Sequence, residues 1–123
     1  MQGKKVLVVD DSATIREIVG DALREAGYQV EMAADGEDGL EKARRLLPDV
    51  VILDLTMPKR DGLDVATDIK ADPKTAGIKI IMLTTRDSEF DQMVGKEVGA
   101  DKYLSKPFDS QTLLSAVTQV LKK

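Results

Sequence analysis

The sequence predicts an α/β fold, a doubly wound five-stranded parallel sheet with five helices on its two faces. Short β-branched apolar runs alternate with helix-period patterns from one end to the other. The runs are apolar on both faces, as strands covered from both sides must be. At 123 residues the chain has room for one domain and not two, so residues 1–123 are expected to form a single unit. Right-handed crossovers then restrict the arrangement to doubly wound sheets, whose ligands bind in a crevice beyond the strand C-termini.

Val6 to Val9 is the first strand. Ser12 can cap a helix whose apolar residues fall at Ile15, Ile18, Val19, Ala22, Leu23 and Ala26, with Gly27 as its stop. Gln29 to Ala34 reads as a weaker strand, and Leu40, Ala43 and Leu47 mark a helix ended by Pro48. Val50 to Leu53 is the most apolar strand. A loop with Met57, Pro58 and Gly62 leads into a helix with Leu63, Ala66 and Ile69 inward, closing near Asp72-Pro73. Ile78 to Leu83 is the fourth strand. Ser88 to Val98 has Phe90, Met93 and Val94 on one helical side, although Gly95 weakens the pattern. Lys102 to Ser105 is a short fifth strand, and Leu113, Leu114, Val117, Val120 and Leu121 define the last helix.

Composition narrows the chemistry. With no cysteine and no histidine there is no disulfide framework, zinc finger, thiolate nucleophile or Ser-His-Asp triad. Any metal must be held by oxygen, which favours magnesium, calcium or manganese. A net charge of −4 weighs against non-specific nucleic-acid binding, which needs clustered Lys and Arg. Lys4 and Lys5 precede only four apolar residues before Asp10 and Asp11, too few for an export signal or a spanning helix. The expected location is the cytoplasm, with no membrane partner.

The polar residues at the strand ends carry the functional reading. Asp10 and Asp11 follow the first strand, Asp54 the third, Thr84 the fourth and Lys106 the fifth. In a parallel sheet these ends share one edge. If the first and third strands are neighbours, about 4.8 Å separates their backbones and the three carboxylates crowd one pocket. With Lys106 the formal local charge is −2, which recruits a cation or raises a pKa, and one Mg²⁺ would cancel it. Each residue also has a plain reading: Asp11 or Ser12 as a helix cap, Thr84 as a turn residue, Lys106 as a solvated charge. Their convergence on successive strand ends outweighs those readings. A carboxylate beside magnesium can attack phosphorus and form an acyl phosphate. Lys106 would then pair with one phosphoryl oxygen and the Thr84 hydroxyl would donate to another. The added negative charge can draw Thr84 inward, a movement available as a signal.

Val6-Leu7-Val8-Val9-Asp10-Asp11-Ser12, Ile52-Leu53-Asp54-Leu55-Thr56-Met57-Pro58 with Gly62 behind, Leu83-Thr84 and Lys106-Pro107-Phe108 together resemble the receiver domain of two-component response regulators, over essentially the whole chain. The resemblance implies the flavodoxin-like strand order 2-1-3-4-5. It implies Asp54 as phosphoacceptor, and magnesium held by Asp11, Asp54 and the Thr56 carbonyl, with Asp10 acting through water. Thr84, the Thr85 N–H and Lys106 would hold the phosphoryl oxygens. Lys106-Pro107 is often cis in such proteins. Tyr103 stands at the family's switch aromatic, its plain alternative being a half-buried strand residue. Thr85 replaces a frequent alanine, and Thr56 and Arg86 occupy variable positions associated with different dephosphorylation rates. Arg86 is left with two readings, reaching the phosphoryl group or facing solvent.

The implied function is a signalling phosphoacceptor, not an enzyme in its own right, fed by a histidine kinase or histidine phosphotransfer protein. It would switch a downstream protein target through the last two helices and the fifth strand, around Tyr103, with a monomer as the default state. The unit is either free-standing or part of a longer effector protein. A haloacid-dehalogenase-like small phosphatase is the enzymatic rival. That family wants a second aspartate two places after the nucleophile, where this chain has Thr56, and there is little room for a cap domain. A flavodoxin-like redox protein fits worse, because Asp10 and Asp11 would repel a flavin phosphate and there is no Trp to stack on the ring.

Overall fold

A computed structural model describes residues 4–55, 62–84, 99–106 and 108–122. Five strands, β1 (Lys5–Val9), β2 (Gln29–Ala33), β3 (Val50–Asp54), β4 (Lys79–Thr84) and β5 (Lys102–Ser105), pair in parallel in the order β2-β1-β3-β4-β5. Four helices fall among the described residues: α1 (Ala13–Glu25), α2 (Gly36–Leu46), α3 (Gly62–Ala71) and α4 (Ser110–Leu121). Five were expected. The additional one, over Ser88 to Val98, lies outside the described residues, as do Met57, Pro58 and the Lys106-Pro107 bond's proline.

Because side chains alternate across a strand, the central strands feed two separate apolar layers. Val6, Val8, Val50, Ile52, Ile81 and Leu83 point to one face, where Val19 and Leu23 of α1 and Leu113, Val117 and Val120 of α4 cover them. Leu7, Val9, Val51, Leu53, Ile80 and Met82 point to the other, under Leu40 and Ala43 of α2 and Val65, Ala66 and Ile69 of α3. Every residue of β3 is buried, which explains why it is the most apolar run in the sequence. The edge strands β2 and β5 are only partly covered, and correspondingly more polar.

Local chemistry sets the element ends. Ser12 Oγ accepts from Ile15 N–H at 3.3 Å to start α1, and Asp35 Oδ1 accepts from Asp38 N–H at 2.9 Å to start α2. Asp109 Oδ1 accepts from Thr112 N–H at 2.7 Å to start α4. The backbone N–H of Thr112, and then its side-chain hydroxyl, lower the Asp109 pKa below its ordinary value. Gly27, at φ 97°, follows the end of α1 in a conformation that glycine adopts without strain.

Three of the apolar residues that mark the helices are exposed. Ile18 is 54% exposed, because the buried arc of α1 runs through Val19, Gly20, Ala22 and Leu23 and leaves Ile18 on its flank. Ala26 caps α1 and is exposed. Leu47 is 53% exposed: it ends α2 in the left-handed conformation at φ 48°, which swings its side chain off the stripe that Leu40 and Ala43 follow.

Left-handed backbone costs a non-glycine residue about 1–2 kcal/mol, and Leu47 buries little in return. Leu47→Gly is therefore expected to raise stability by about 0.5–1 kcal/mol once glycine's greater unfolded-state freedom is subtracted. A higher urea midpoint at unchanged slope checks it.

Candidate functional site

The strand register builds the site. Val9 pairs with Leu53, so Asp10 and Asp54 emerge on neighbouring strands at the same rung, where the sheet's winding reverses between β1 and β3. Leu83 pairs with Asp54 and Ser105 with Thr84, which brings Thr84 and Lys106 to the same edge. The Lys106 N–H donates to the Thr84 carbonyl at 2.7 Å, continuing the β4–β5 ladder past its last residue.

Asp10, Asp11 and Asp54 each place a carboxylate oxygen within 4.8 Å of the others. Asp10 is fully buried and Asp54 is 5% exposed, whereas Asp11 is open to solvent. Both Asp10 oxygens are engaged: Oδ1 accepts from Ser12 N–H at 2.9 Å and Oδ2 from Lys106 Nζ at 3.0 Å. The same Nζ stands 3.4 Å from Asp54 Oδ1. Burial alone would lower the Lys106 pKa, but the Asp10 hydrogen bond and charge, with the Asp54 charge, hold it above 10.5. One ammonium against three carboxylates leaves the crevice at a formal −2.

The donor chemistry fits a hard divalent cation. All three side chains offer oxygen, and opposite ligands of a magnesium ion stand about 4.2 Å apart. Carboxylates within 4.8 Å of one another need only small rotations to close on one ion. Thr56, expected to contribute its carbonyl, lies outside the described residues, as do Thr85 and Arg86. Thr84 is buried at the end of β4. Tyr103 is half-buried on β5 and packs against the apolar layer under α2 and α3.

Two features escaped the sequence reading. Gly62, part of the receiver-like motif but with no contact predicted for it, opens α3 directly against the end of β3: a Cβ on it would lie 2.4 Å from the Asp54 carbonyl oxygen and 2.9 Å from Leu55 Cα. Its N–H donates to the Leu55 carbonyl at 2.8 Å. Arg16 reaches back from the first turn of α1, its Nη1 donating to the Asp10 carbonyl at 2.6 Å. The available signal was a basic residue six places after the acidic turn, on a helix that begins beside it.

Gly62→Ala is expected to destabilise the protein by about 1–3 kcal/mol through overpacking and to displace Asp54; denaturant titration reads the first and a weaker affinity for Mg²⁺ the second. The raised Lys106 pKa has its own consequence. Its stabilising contribution is complete below the unfolded value of 10.5 and is lost as pH rises through the higher folded value. The fall in stability from pH 10 to pH 12 should therefore be smaller in Lys106→Met than in the unsubstituted chain.

Comparison with known proteins agrees with this geometry. The model of the response regulator receiver domain matches residues 6–118. The chain is 39% identical over 120 residues to the alkaline phosphatase synthesis transcriptional regulatory protein PhoP of Bacillus subtilis strain 168, covering 98% of this chain and 49% of that protein. The chain spans about half the length of the transcriptional regulators it matches. Among solved structures, the chemotaxis protein CheY4 of Vibrio cholerae superposes with a TM-score of 0.91 at 42% identity, covering 95% of this chain and 98% of that one. A BeF3-activated DrrB receiver domain superposes with a TM-score of 0.89 at 32% identity over the whole of both chains. With the strand order, the acidic crevice and a family match over nearly the full sequence in agreement, the chain belongs to the response regulator receiver domains of two-component systems.

Proposed function

We propose that residues 1–123 form one phosphoacceptor unit that takes a phosphoryl group onto Asp54 from the phosphohistidine of a histidine kinase or histidine phosphotransfer protein. The observation that carries this reading is the placement of Asp54: buried at the end of β3, 3.4 Å from the Lys106 ammonium and clustered with two further carboxylates. An Asp54 carboxylate oxygen bonds to phosphorus as the phosphorus–nitrogen bond of the donor breaks, and the electron pair leaves with the imidazole. Lys106 then pairs with one phosphoryl oxygen, while the Thr84 hydroxyl and the Thr85 N–H donate to others. Attack of water on phosphorus later releases inorganic phosphate and restores the carboxylate.

Asp11, Asp54 and the Thr56 carbonyl are the residues to hold Mg²⁺, with Asp10 acting through water. The engagement of both Asp10 oxygens by Ser12 N–H and Lys106 supports that indirect role. Bound there, the ion supplies positive charge that offsets the repulsion between the carboxylates and the incoming phosphoryl oxygens. The protein is a signalling phosphoacceptor rather than an enzyme with a separate substrate.

The output reading is a shift between two existing conformations, with Thr84 drawn toward the phosphoryl group and Tyr103 following. A downstream protein target would sense the face formed by β5, α4 and the segment before β5. The placement is cytoplasmic, with no membrane or direct nucleic-acid contact and a monomer as the starting state. Among the described residues no helix is long and apolar enough to cross a membrane. The match to half of a longer transcriptional regulator favours a second context, in which this unit controls an attached effector.

Asp54→Asn is expected to abolish labelling by a small acyl phosphate in the presence of Mg²⁺; undiminished labelling moves the acceptor elsewhere. Lys106→Ala should still be labelled, while its target affinity no longer responds to beryllofluoride. Equal target affinity of the unsubstituted chain with and without beryllofluoride would defeat the switching proposal.

A further inference from the structure

We infer that Arg16 is a positioning residue for the cation site, acting on Asp11 through the peptide that joins it to Asp10; the inference rests on the function proposed above. The guanidinium donates from Nη1 to the Asp10 carbonyl at 2.6 Å, while the Arg16 N–H donates to the Ser12 carbonyl at 3.0 Å. One residue thus grips the acidic turn at its start and its end. The Asp10 carbonyl belongs to the planar unit that also contains the Asp11 N–H and Cα, so fixing that oxygen fixes the direction in which Asp11 leaves the chain.

The two aspartates differ in how much they need this. Asp10 has both carboxylate oxygens bonded within the protein. Asp11 is exposed, and among the described residues its side chain has neither a hydrogen bond nor an ion pair. Its carboxylate nonetheless completes the cluster of three within 4.8 Å. Backbone orientation is what the structure provides to aim it: Asp10 Oδ1 holds the peptide after Asp11 through the Ser12 N–H, and Arg16 holds the peptide before it.

A positive charge beside a cation site has the opposite electrostatic effect, which makes the inference decidable. If the Arg16 charge dominated, removing it would tighten Mg²⁺ binding. If Arg16 merely supported the fold, its loss would lower stability and leave ion affinity alone. A positioning role predicts weaker binding, because residues that orient ligands from outside the ligand set are typically worth about 10–100-fold in metal affinity.

The experiment titrates Mg²⁺ calorimetrically into the full chain and into Arg16→Gln and Arg16→Lys, with urea denaturation as a parallel measure of folding. Arg16→Gln is expected to raise the Mg²⁺ Kd by about tenfold or more, and Arg16→Lys to lie between it and the unsubstituted protein, since an ammonium can donate once to the same carbonyl. A Kd for Arg16→Gln that is unchanged or lower overturns the inference. Should that variant not fold, Arg16→Lys decides alone: a raised Kd supports positioning and an unaltered one overturns it. An unsubstituted chain that takes up no Mg²⁺ overturns the proposed function as well, whereas normal uptake with an indifferent Arg16→Gln overturns only the role of Arg16.

Discussion

Three carboxylates forced into one crevice set the terms for the rest of this structure. The strand order makes β1 and β3 neighbours, and the register puts Asp10 and Asp54 at the same rung. A fully buried carboxylate without partners is too unfavourable to persist in ionised form. The fold meets that constraint at Asp10 with a backbone N–H and with Lys106, a residue 96 positions away in the chain. Closing that ion pair ties the end of the edge strand β5 to the end of β1. What the ammonium leaves unbalanced is the remaining charge of −2, and a divalent oxygen-seeking cation matches it in sign, size and ligand preference.

The central strands were legible because burial on both faces removes ambiguity. The runs read from Val6, Val50, Ile78 and Lys102 reappear as β1, β3, β4 and β5 with boundaries shifted by at most one residue. The helix stripes through Val19 and Leu23, through Leu40 and Ala43, and through Ala66 and Ile69 were likewise visible. Their margins were not. Ile18 sits one position outside its arc, and Leu47 is turned outward by a left-handed residue that no apolar periodicity encodes. The order 2-1-3-4-5 came from resemblance, since alternation alone does not say which strands touch.

The site was legible to the extent that strand ends and functional side chains coincide. Asp10, Asp11, Asp54, Thr84 and Lys106 all stand within two residues of a strand terminus, so a parallel sheet alone gathers them. Lys106 is expected beside the three carboxylates, but its hydrogen bond to Asp10 in particular is not predicted, since nothing local links residues 96 apart. The close approach of Gly62 to the Asp54 carbonyl depends on how α3 meets β3, a distance fixed by packing across the sheet face.

The proposed signal would act where motion is least costly. β5 is an edge strand with one paired neighbour, so displacing it disturbs a single ladder and leaves β2, β1 and β3 in register. Met82 pairs with Tyr103 and Thr84 with Ser105, so Thr84 and Tyr103 are separated by two rungs on adjacent strands, about 7 Å along the sheet. The end of β5 is held to the crevice by the Lys106 N–H on the Thr84 carbonyl and by the Lys106 ammonium, which pairs with Asp10 and stands 3.4 Å from Asp54. In the proposed mechanism a phosphoryl group on Asp54 would compete for that ammonium with more charge than Asp10 has. Relaxing the link to Asp10 while drawing Thr84 inward would therefore act on the attachments of one short strand, the strand that carries the half-buried Tyr103. The central strands, buried on both sides, carry the acidic crevice and in the proposed switch would be the rigid reference against which the edge moves.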